Sequence, residues 1–214
     1  VNLFLSNSSK VSIGGKAVSL SQETNYPWNG DVKIKVDNSK AGKFGMKIRI
    51  PSWVKGQPVP SDLYSYSDAS RPTYKITVNG RSVPASLTED GYYTIYRNWK
   101  KNDVVNVHFD MDVRTVRADN KVEADRGMVS VERGPLVYCA EWPDNKFDIK
   151  TVILNQEPKF TLGTMALDNF IPADSKAKLH AYKEINMKTL TTDAQCLRFD
   201  ANGRLATKDV RLTL

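Results

Sequence analysis

Strict alternation of polar and β-branched residues recurs along this chain and constrains its fold more tightly than any other feature. Asp31-Val32-Lys33-Ile34-Lys35-Val36-Asp37 is one such run, and Val105-Asn106-Val107-His108-Phe109-Asp110-Met111-Asp112-Val113 is another. A period of two throws successive side chains onto opposite faces of a strand, so each run describes a half-buried strand with one apolar side. No segment sustains the 3.6-residue apolar period of an amphipathic helix. Tyr74-Lys75-Ile76-Thr77-Val78 enters Asn79-Gly80 and leaves through Arg81-Ser82-Val83. That pattern predicts a hairpin, because both turn residues tolerate positive φ. Asn202-Gly203, between Gln195–Phe199 and Arg204–Ala206, predicts a second. Further strands are expected over residues 18–23, 45–50, 92–97, 128–133, 136–141 and 151–154. Many short strands separated by turn signals imply packed antiparallel sheets rather than alternating strands and helices, with a β-sandwich as the default.

The 214 residues allow one large domain or two small ones, either able to bury a core. The mixed-charge stretch from Arg114 to Arg126 is a reasonable border, and the Pro-, Ser- and Tyr-rich stretch from Lys55 to Pro72 reads as a long loop. No apolar run approaches the ~18 residues of a membrane helix, so no membrane partner is expected. The opening Val1-Asn2-Leu3-Phe4 starts in mid-strand without Met, which suggests a piece of something longer. Two cysteines exclude a disulfide scaffold and a four-cysteine zinc site, leaving room for one bridge. Cys139 lies in the apolar run Pro135-Leu136-Val137-Tyr138-Cys139-Ala140 and is expected to be a small core residue.

The formal charge of +7, from 31 Lys and Arg against 24 Asp and Glu, is concentrated between Asp31 and Lys55. There Lys33 and Lys35 alternate with Ile34 and Val36, and Lys47 and Arg49 with Ile48 and Ile50. The bland reading is a solvated strand face whose lysines discourage edge pairing. The functional one is a basic face, Lys33, Lys35, Lys47 and Arg49, that docks a partner domain. No zinc finger, helix-turn-helix or aromatic recognition strand accompanies the charge, so a nucleic-acid partner is not expected.

Few residues fall in patterns that carry chemistry. Asp110 and Asp112 share a strand face, but their spacing is what solvent exposure alone produces, and glycosidic hydrolysis needs two carboxylates flanking one bond. His108 sits on the same polar side and His180 stands alone, neither with a partner at metal-ligand spacing. Asp200-Ala201-Asn202-Gly203-Arg204 begins like a calcium loop but puts Arg204 where an oxygen ligand belongs. No metal site is expected, and no catalytic residue is assigned. Trp28, Trp53 and Trp99 each follow a short aromatic or proline-bearing turn phrase. Such rings either plug the end of a sandwich or, exposed, stack on sugars, and Tyr64 and Tyr66 of the long loop are candidates for the same role. Trp142 is open to both readings.

Several phrases together resemble the segment that follows the catalytic barrel in glycoside hydrolase family 127, the β-L-arabinofuranosidase family. They are Val1-Asn2-Leu3-Phe4, Gln22-Glu23-Thr24-Asn25-Tyr26-Pro27-Trp28-Asn29-Gly30, Ile48-Arg49-Ile50-Pro51-Ser52-Trp53, Gly91-Tyr92-Tyr93 leading to Arg97-Asn98-Trp99, and Arg126-Gly127 with Arg133-Gly134-Pro135-Leu136-Val137-Tyr138-Cys139. The resemblance is strong to about residue 145 and weak beyond. It implies a parent with an α/α helical barrel followed by two β-sandwich domains, here residues 1–115 and 116–214, the second short of its closing segment. In such enzymes a zinc-bound cysteine is the nucleophile and a glutamate the acid/base in a retaining removal of arabinofuranose. Those residues, including an adjacent cysteine pair, precede the part resembled. Cys139 does not match the nucleophile and Cys196 has no cysteine neighbour, so no catalytic position carries over and no cofactor is expected in this chain. The implied partners are the catalytic barrel of the same polypeptide and plant glycans. A periplasmic or secreted setting follows only from the kind of enzyme.

Overall fold

A computed structural model describes residues 1–83, 86–166 and 186–214 of the chain. His180 therefore lies outside the described residues. Among the described residues, seventeen strands follow one another: β1 (Asn7–Ile13), β2 (Lys16–Thr24), β3 (Asp31–Ser39), β4 (Lys43–Arg49), β5 (Tyr64–Tyr66), β6 (Tyr74–Val78), β7 (Arg81–Ser82), β8 (Ser86–Leu87), β9 (Tyr92–Asn98), β10 (Val104–Phe109), β11 (Val113–Ala118), β12 (Val129–Arg133), β13 (Leu136–Tyr138), β14 (Val152–Leu154), β15 (Thr161–Ala166), β16 (Asn186–Phe199) and β17 (Leu205–Thr213). Two single-turn 3-10 segments interrupt them, and among the described residues there is no α-helix and no closed barrel. Among the described residues, the pairs β1–β2, β2–β3, β3–β10, β10–β6, β6–β7, β4–β9, β9–β8, β11–β12, β11–β5, β14–β16, β15–β16 and β16–β17 are antiparallel. The fold is all-β and sandwich-like, as the alternation predicts.

The chain divides into two compact units, Val1–Val137 and Tyr138–Leu214. In the first, a six-stranded sheet runs β1-β2-β3-β10-β6-β7 and a three-stranded sheet runs β4-β9-β8. Alternation decides which side chains face inward. Val32, Ile34 and Val36 of β3, Val105, Val107 and Phe109 of β10 and Ile76 and Val78 of β6 share one core with Phe44, Met46 and Ile48 of β4 and Ile95 of β9. Burying each large aliphatic or aromatic group in such a layer is worth about 1.5–3 kcal/mol. One end of the layer is closed by rings: Phe4 lies 5.3 Å from both Tyr26 and Phe109, and Trp53 lies 5.9 Å from Phe109.

The Asn79-Gly80 hairpin forms as expected, with φ of 51° and 77° and Val78 opposite Arg81. Its Asn79 reaches further. The Asn79 amide donates to Asp103 Oδ1 at 2.8 Å and the Lys100 backbone N–H donates to Oδ2 at 2.9 Å, while Arg97 approaches within 3.6 Å. A buried carboxylate thus ties the β6–β7 turn of one sheet to the β9–β10 turn that leaves the other. Burial opposes ionisation of Asp103, but these hydrogen bonds and the Arg97 and Lys100 charges outweigh it and hold the group below its ordinary range.

A third sheet of the first unit has the order β13-β12-β11-β5. Here the structure departs from expectation twice. The run from Val105 to Val113 is two strands, because the chain leaves the six-stranded sheet at Asp110 and starts β11 at Val113. Half-buried Met111, packed on the core, occupies the corner, so Asp110 and Asp112 do not share a strand face. The stretch from Lys55 to Pro72 is not all loop: Tyr64–Tyr66 pairs with Val116–Ala118 as β5. A border between residues 115 and 116 falls inside β11.

In the second unit β16 is the spine, paired with β14, β15 and β17. Leu190, Thr192, Ala194 and Cys196 alternate along it as its buried face, joined by Leu212 of β17. The β16–β17 hairpin surrounds Asn202-Gly203 as expected. Asp200 uses one carboxylate oxygen to accept from the N–H groups of Asn202 at 2.8 Å and Arg204 at 2.9 Å, which ties the turn closed. The expectation for cysteine is reversed. Cys139 is exposed, because β13 ends at Tyr138, while Cys196 is buried in the alternating row of β16; both are free thiols.

Candidate functional site

Of the aromatic residues named for sugar stacking, two are core. Trp53 is 6% and Trp99 2% exposed, so neither offers a ring face to a ligand. Trp99 donates its indole N–H to the Phe44 carbonyl at 3.1 Å, and Trp53 donates to the Tyr26 hydroxyl at 3.4 Å. Both follow a strand end and swing back under the sheet, the plug geometry that satisfies one polar atom while burying the ring. Trp28 is 39% exposed, its carbonyl accepting from Arg133 at 3.1 Å, and Trp142 is 76% exposed.

Tyr64 and Tyr66 stand two residues apart on one face of β5 and are half-buried. Their hydroxyls donate to Asp125 at 2.9 Å and Glu132 at 3.1 Å. Arg114 stacks on the Tyr66 ring at 3.4 Å from guanidinium to centroid and donates through Nη2 to the Ser70 carbonyl at 2.6 Å and Asp68 Oδ1 at 3.1 Å. Its Nε and Nη1 are buried without a hydrogen-bond partner among the described residues. Burial, the Glu132 charge and the hydrogen bond to it push the Tyr66 hydroxyl upward. Burial likewise raises Glu132, against the Tyr66 hydrogen bond and the Arg114 charge. The cluster locks the long loop onto β11 and β12.

The four residues of the expected basic face do not form one face. Lys33 and Lys35 point outward from the six-stranded sheet and Lys47 and Arg49 from the three-stranded sheet, and the inner sides of these sheets share one core. Outward faces of packed layers point away from each other, so the two pairs are separate surfaces. Most of the charge is also answered locally: Lys33 by Glu23 at 3.0 Å, Lys35 by Asp37 at 3.7 Å and Lys47 by Asp90 at 3.1 Å. Arg49 reaches the Asn2 side chain at 3.4 Å. Period-two spacing placed each pair correctly but could not show that β3 and β4 belong to different layers.

A cleft of about 640 Å³ lies on the outer side of the six-stranded sheet. Its floor is two rows of side chains, and its wall is the turn carrying Asn25 and Asn29. The sequence singled out His108 and Lys33 from this surface, but nothing in the spacing along the chain shows that the pairing of β3, β10 and β6 brings them beside Lys75 and Thr77. His108 is held between carboxylates, Nδ1 2.7 Å from Asp31 and Nε2 3.1 Å from Asp110, and Thr73 donates to the other oxygen of Asp110. The Asp31 hydrogen bond, against partial burial and with the charges of Asp31 and Asp110, raises the imidazole above its ordinary value. The same pairing, with the Thr73 hydrogen bond as the leading cause, lowers Asp110.

Among the described residues no three His, Cys, Asp or Glu side chains converge on a metal position, and Cys139 and Cys196 have no cysteine neighbour.

Comparison with known proteins accounts for the strand-built architecture. The family model for the middle domain of β-L-arabinofuranosidase, GH127, matches residues 1–111, and the model for the glycoside hydrolase family 127 C-terminal domain matches residues 113–196. A non-reducing end β-L-arabinofuranosidase of Bifidobacterium longum subsp. longum is 34% identical over 151 residues, 68% of this chain and 20% of that protein. A solved GH127 β-arabinofuranosidase is 47% identical with a TM-score of 0.84, covering 99% of this chain and 31% of its own. The GH127 β-L-arabinofuranosidase of Geobacillus stearothermophilus T6 is 26% identical with a TM-score of 0.76, covering 99% of this chain and 29% of its own. The chain thus spans a third or less of the relatives it matches, and among its described residues it has none of the helical catalytic fold. Matched in order by the family's middle and C-terminal domains, the chain belongs to glycoside hydrolase family 127.

Proposed function

We propose that this chain is the non-catalytic accessory region of a β-L-arabinofuranosidase-like glycoside hydrolase, and that its strand-built domains brace a helical catalytic domain carried elsewhere in the same polypeptide. The observation that carries this reading is the consecutive match of the middle and C-terminal family domains to a chain whose described residues are sheets. The chemistry agrees. Carboxylates that could act on a sugar are engaged in structural pairs: Asp103 under the turns, Glu132 on Tyr66, Asp31 and Asp110 on His108. The substrate of the whole enzyme belongs to this proposal too, with terminal β-L-arabinofuranose as its class.

The test is an assay of the purified chain on an aryl β-L-arabinofuranoside, alone and mixed with the separately produced helical domain. The reading expects no turnover alone and a higher melting temperature for the helical domain in the mixture. Turnover by the chain alone, free of contaminating enzyme, overturns it. Docking through a basic surface is tested one layer at a time, with Lys33→Glu/Lys35→Glu against Lys47→Glu/Arg49→Glu. A docking role for either pair predicts that only one double variant loses the stabilisation.

A further inference from the structure

The outer cleft is built by register. Glu23, Lys33, Asn106 and Thr77 stand opposite one another across β2, β3, β10 and β6. Two residues along, Asp31, His108 and Lys75 form a second row. Strand spacing sets the groups about 4.8 Å apart across the sheet and about 6.8 Å apart along it. The floor is therefore a grid of polar heads, with the valines of the same strands turned to the core.

The grid is half occupied by its own pairs. Glu23 holds Lys33, and Asp31 holds His108, each carboxylate keeping lone pairs to spare. The side chains of Lys75, Asn106, Thr77 and Asn25, which also line the cleft, make no hydrogen bond or ion pair among the described residues. They supply ammonium and amide donors beside the acceptors of Glu23 and Asp31. His108, its two ring nitrogens against Asp31 and Asp110, is held toward its charged form, so Glu23, Asp31 and Asp110 meet Lys33, Lys75 and the imidazolium; a net anion would face the carboxylates and a net cation would face Lys33 and Lys75. A ligand that both donates and accepts at close intervals, carries no charge and asks for no large apolar wall satisfies the grid. That describes vicinal hydroxyls.

We propose that the outer face of the six-stranded sheet is a binding site for the end of a neutral, hydroxyl-rich glycan, read chiefly by Lys75 and Asn106 with Asn25 on the wall and the Asp31 and Glu23 carboxylates as acceptors. The choice of sugar rests on the family to which the chain belongs; the site itself rests on the register and the unpartnered donors. It places sugar recognition in a polar cleft rather than on the tryptophans, two of which are core.

The experiment is a titration of the 214-residue chain, labelled with nitrogen-15, by a β-L-arabinofuranosyl disaccharide and separately by tri-galacturonate. Saturable amide shifts centred on residues 31–33, 75–77 and 106–108 are expected with the neutral sugar, with the acidic one at least about tenfold weaker. Asn106→Ala and Lys75→Met each weaken the neutral sugar about tenfold or more while leaving the melting temperature unchanged, because both side chains point to solvent and hold nothing. Absence of saturable shifts, equal affinity in both variants, tighter binding of the acidic sugar, or shifts centred on Trp28 or Tyr64 each overturn the site. The accessory reading stands or falls on hydrolysis and on stabilisation of the helical domain, neither of which this titration reads.

Discussion

The two sides of the six-stranded sheet are made by the same residues in alternation, yet they obey different physics. On the inner side, Val32, Ile34, Val36, Val105, Val107 and Phe109 are almost wholly removed from water and gain from contact with any well-shaped apolar neighbour. On the outer side, Lys33 and His108 meet carboxylate partners in water, at fixed distances. Inner residues are interchangeable within volume limits, whereas outer ones are specific and energetically light. Stability should therefore reside on one side and recognition on the other.

The strongest attempt to break that division is a cavity on the inner side. Phe109 touches Phe4, Tyr26 and Trp53, so Phe109→Ala removes the ring on which three others converge. Denaturant unfolding is expected to show a loss of about 3–5 kcal/mol. A loss under about 1 kcal/mol would mean that the ring cluster is not the seal of the layer.

Asp103 blurs the division, being polar yet 6% exposed. Asp103→Ala leaves the Asn79 amide and the Lys100 N–H without their acceptor and is expected to cost about 1–3 kcal/mol. Because its folded-state ionisation is held low, its contribution is present above the unfolded value of about 3.9 and is lost as pH falls through the folded value. Unfolding free energies measured from neutral to acid pH should thus converge for the wild type and Asp103→Asn. Parallel curves would show that the carboxylate charge contributes nothing.

On the outer side, Lys33→Ala removes a pair whose members are 49% and 72% exposed, and solvent screening limits the expected change to less than about 0.5 kcal/mol. A larger loss in the same unfolding measurement would show that the outer rows carry stability as well.

These contrasts also mark how far the sequence could be read. The alternation of β3 and the Asn79-Gly80 turn are local, so the strand faces and the hairpin were legible, and five phrases in order pointed to the family. What was not legible depended on which strand lies beside which. Nothing local tells that β3 and β4 face opposite ways, so a single basic surface was expected where there are two. An unbroken polar-apolar pattern from Val105 to Val113 conceals a change of sheet, because Met111 turning the corner keeps the same parity as a residue continuing the strand. Cys139 sits in an apolar run yet is exposed, since β13 ends one residue earlier. The Asp31-His108-Lys75 row joins residues 33 or more positions apart in the chain and exists only through the pairing of β3, β10 and β6.

The finest probe of the outer side is its histidine. The folded imidazole is raised chiefly by the Asp31 hydrogen bond, so its stabilisation is complete below the unfolded value of 6.5 and disappears as pH rises through the higher folded value. Side chains about half exposed, 52% for His108, limit the effect to a few tenths of a kcal/mol after screening. Proton NMR reads the shift directly: the His108 ring signal should titrate above 6.5, and Asp31→Asn should bring it down by removing the leading cause while Asp110 still holds Nε2. Chemical denaturation of the wild type at pH 6 and pH 8 should then differ only slightly in the His108 contribution, as judged against His108→Gln. If Asp31→Asn left the titration unmoved, the imidazole would not be bonded to Asp31 in solution, and the second row of the cleft would have to be redrawn with His108 free to meet a ligand itself.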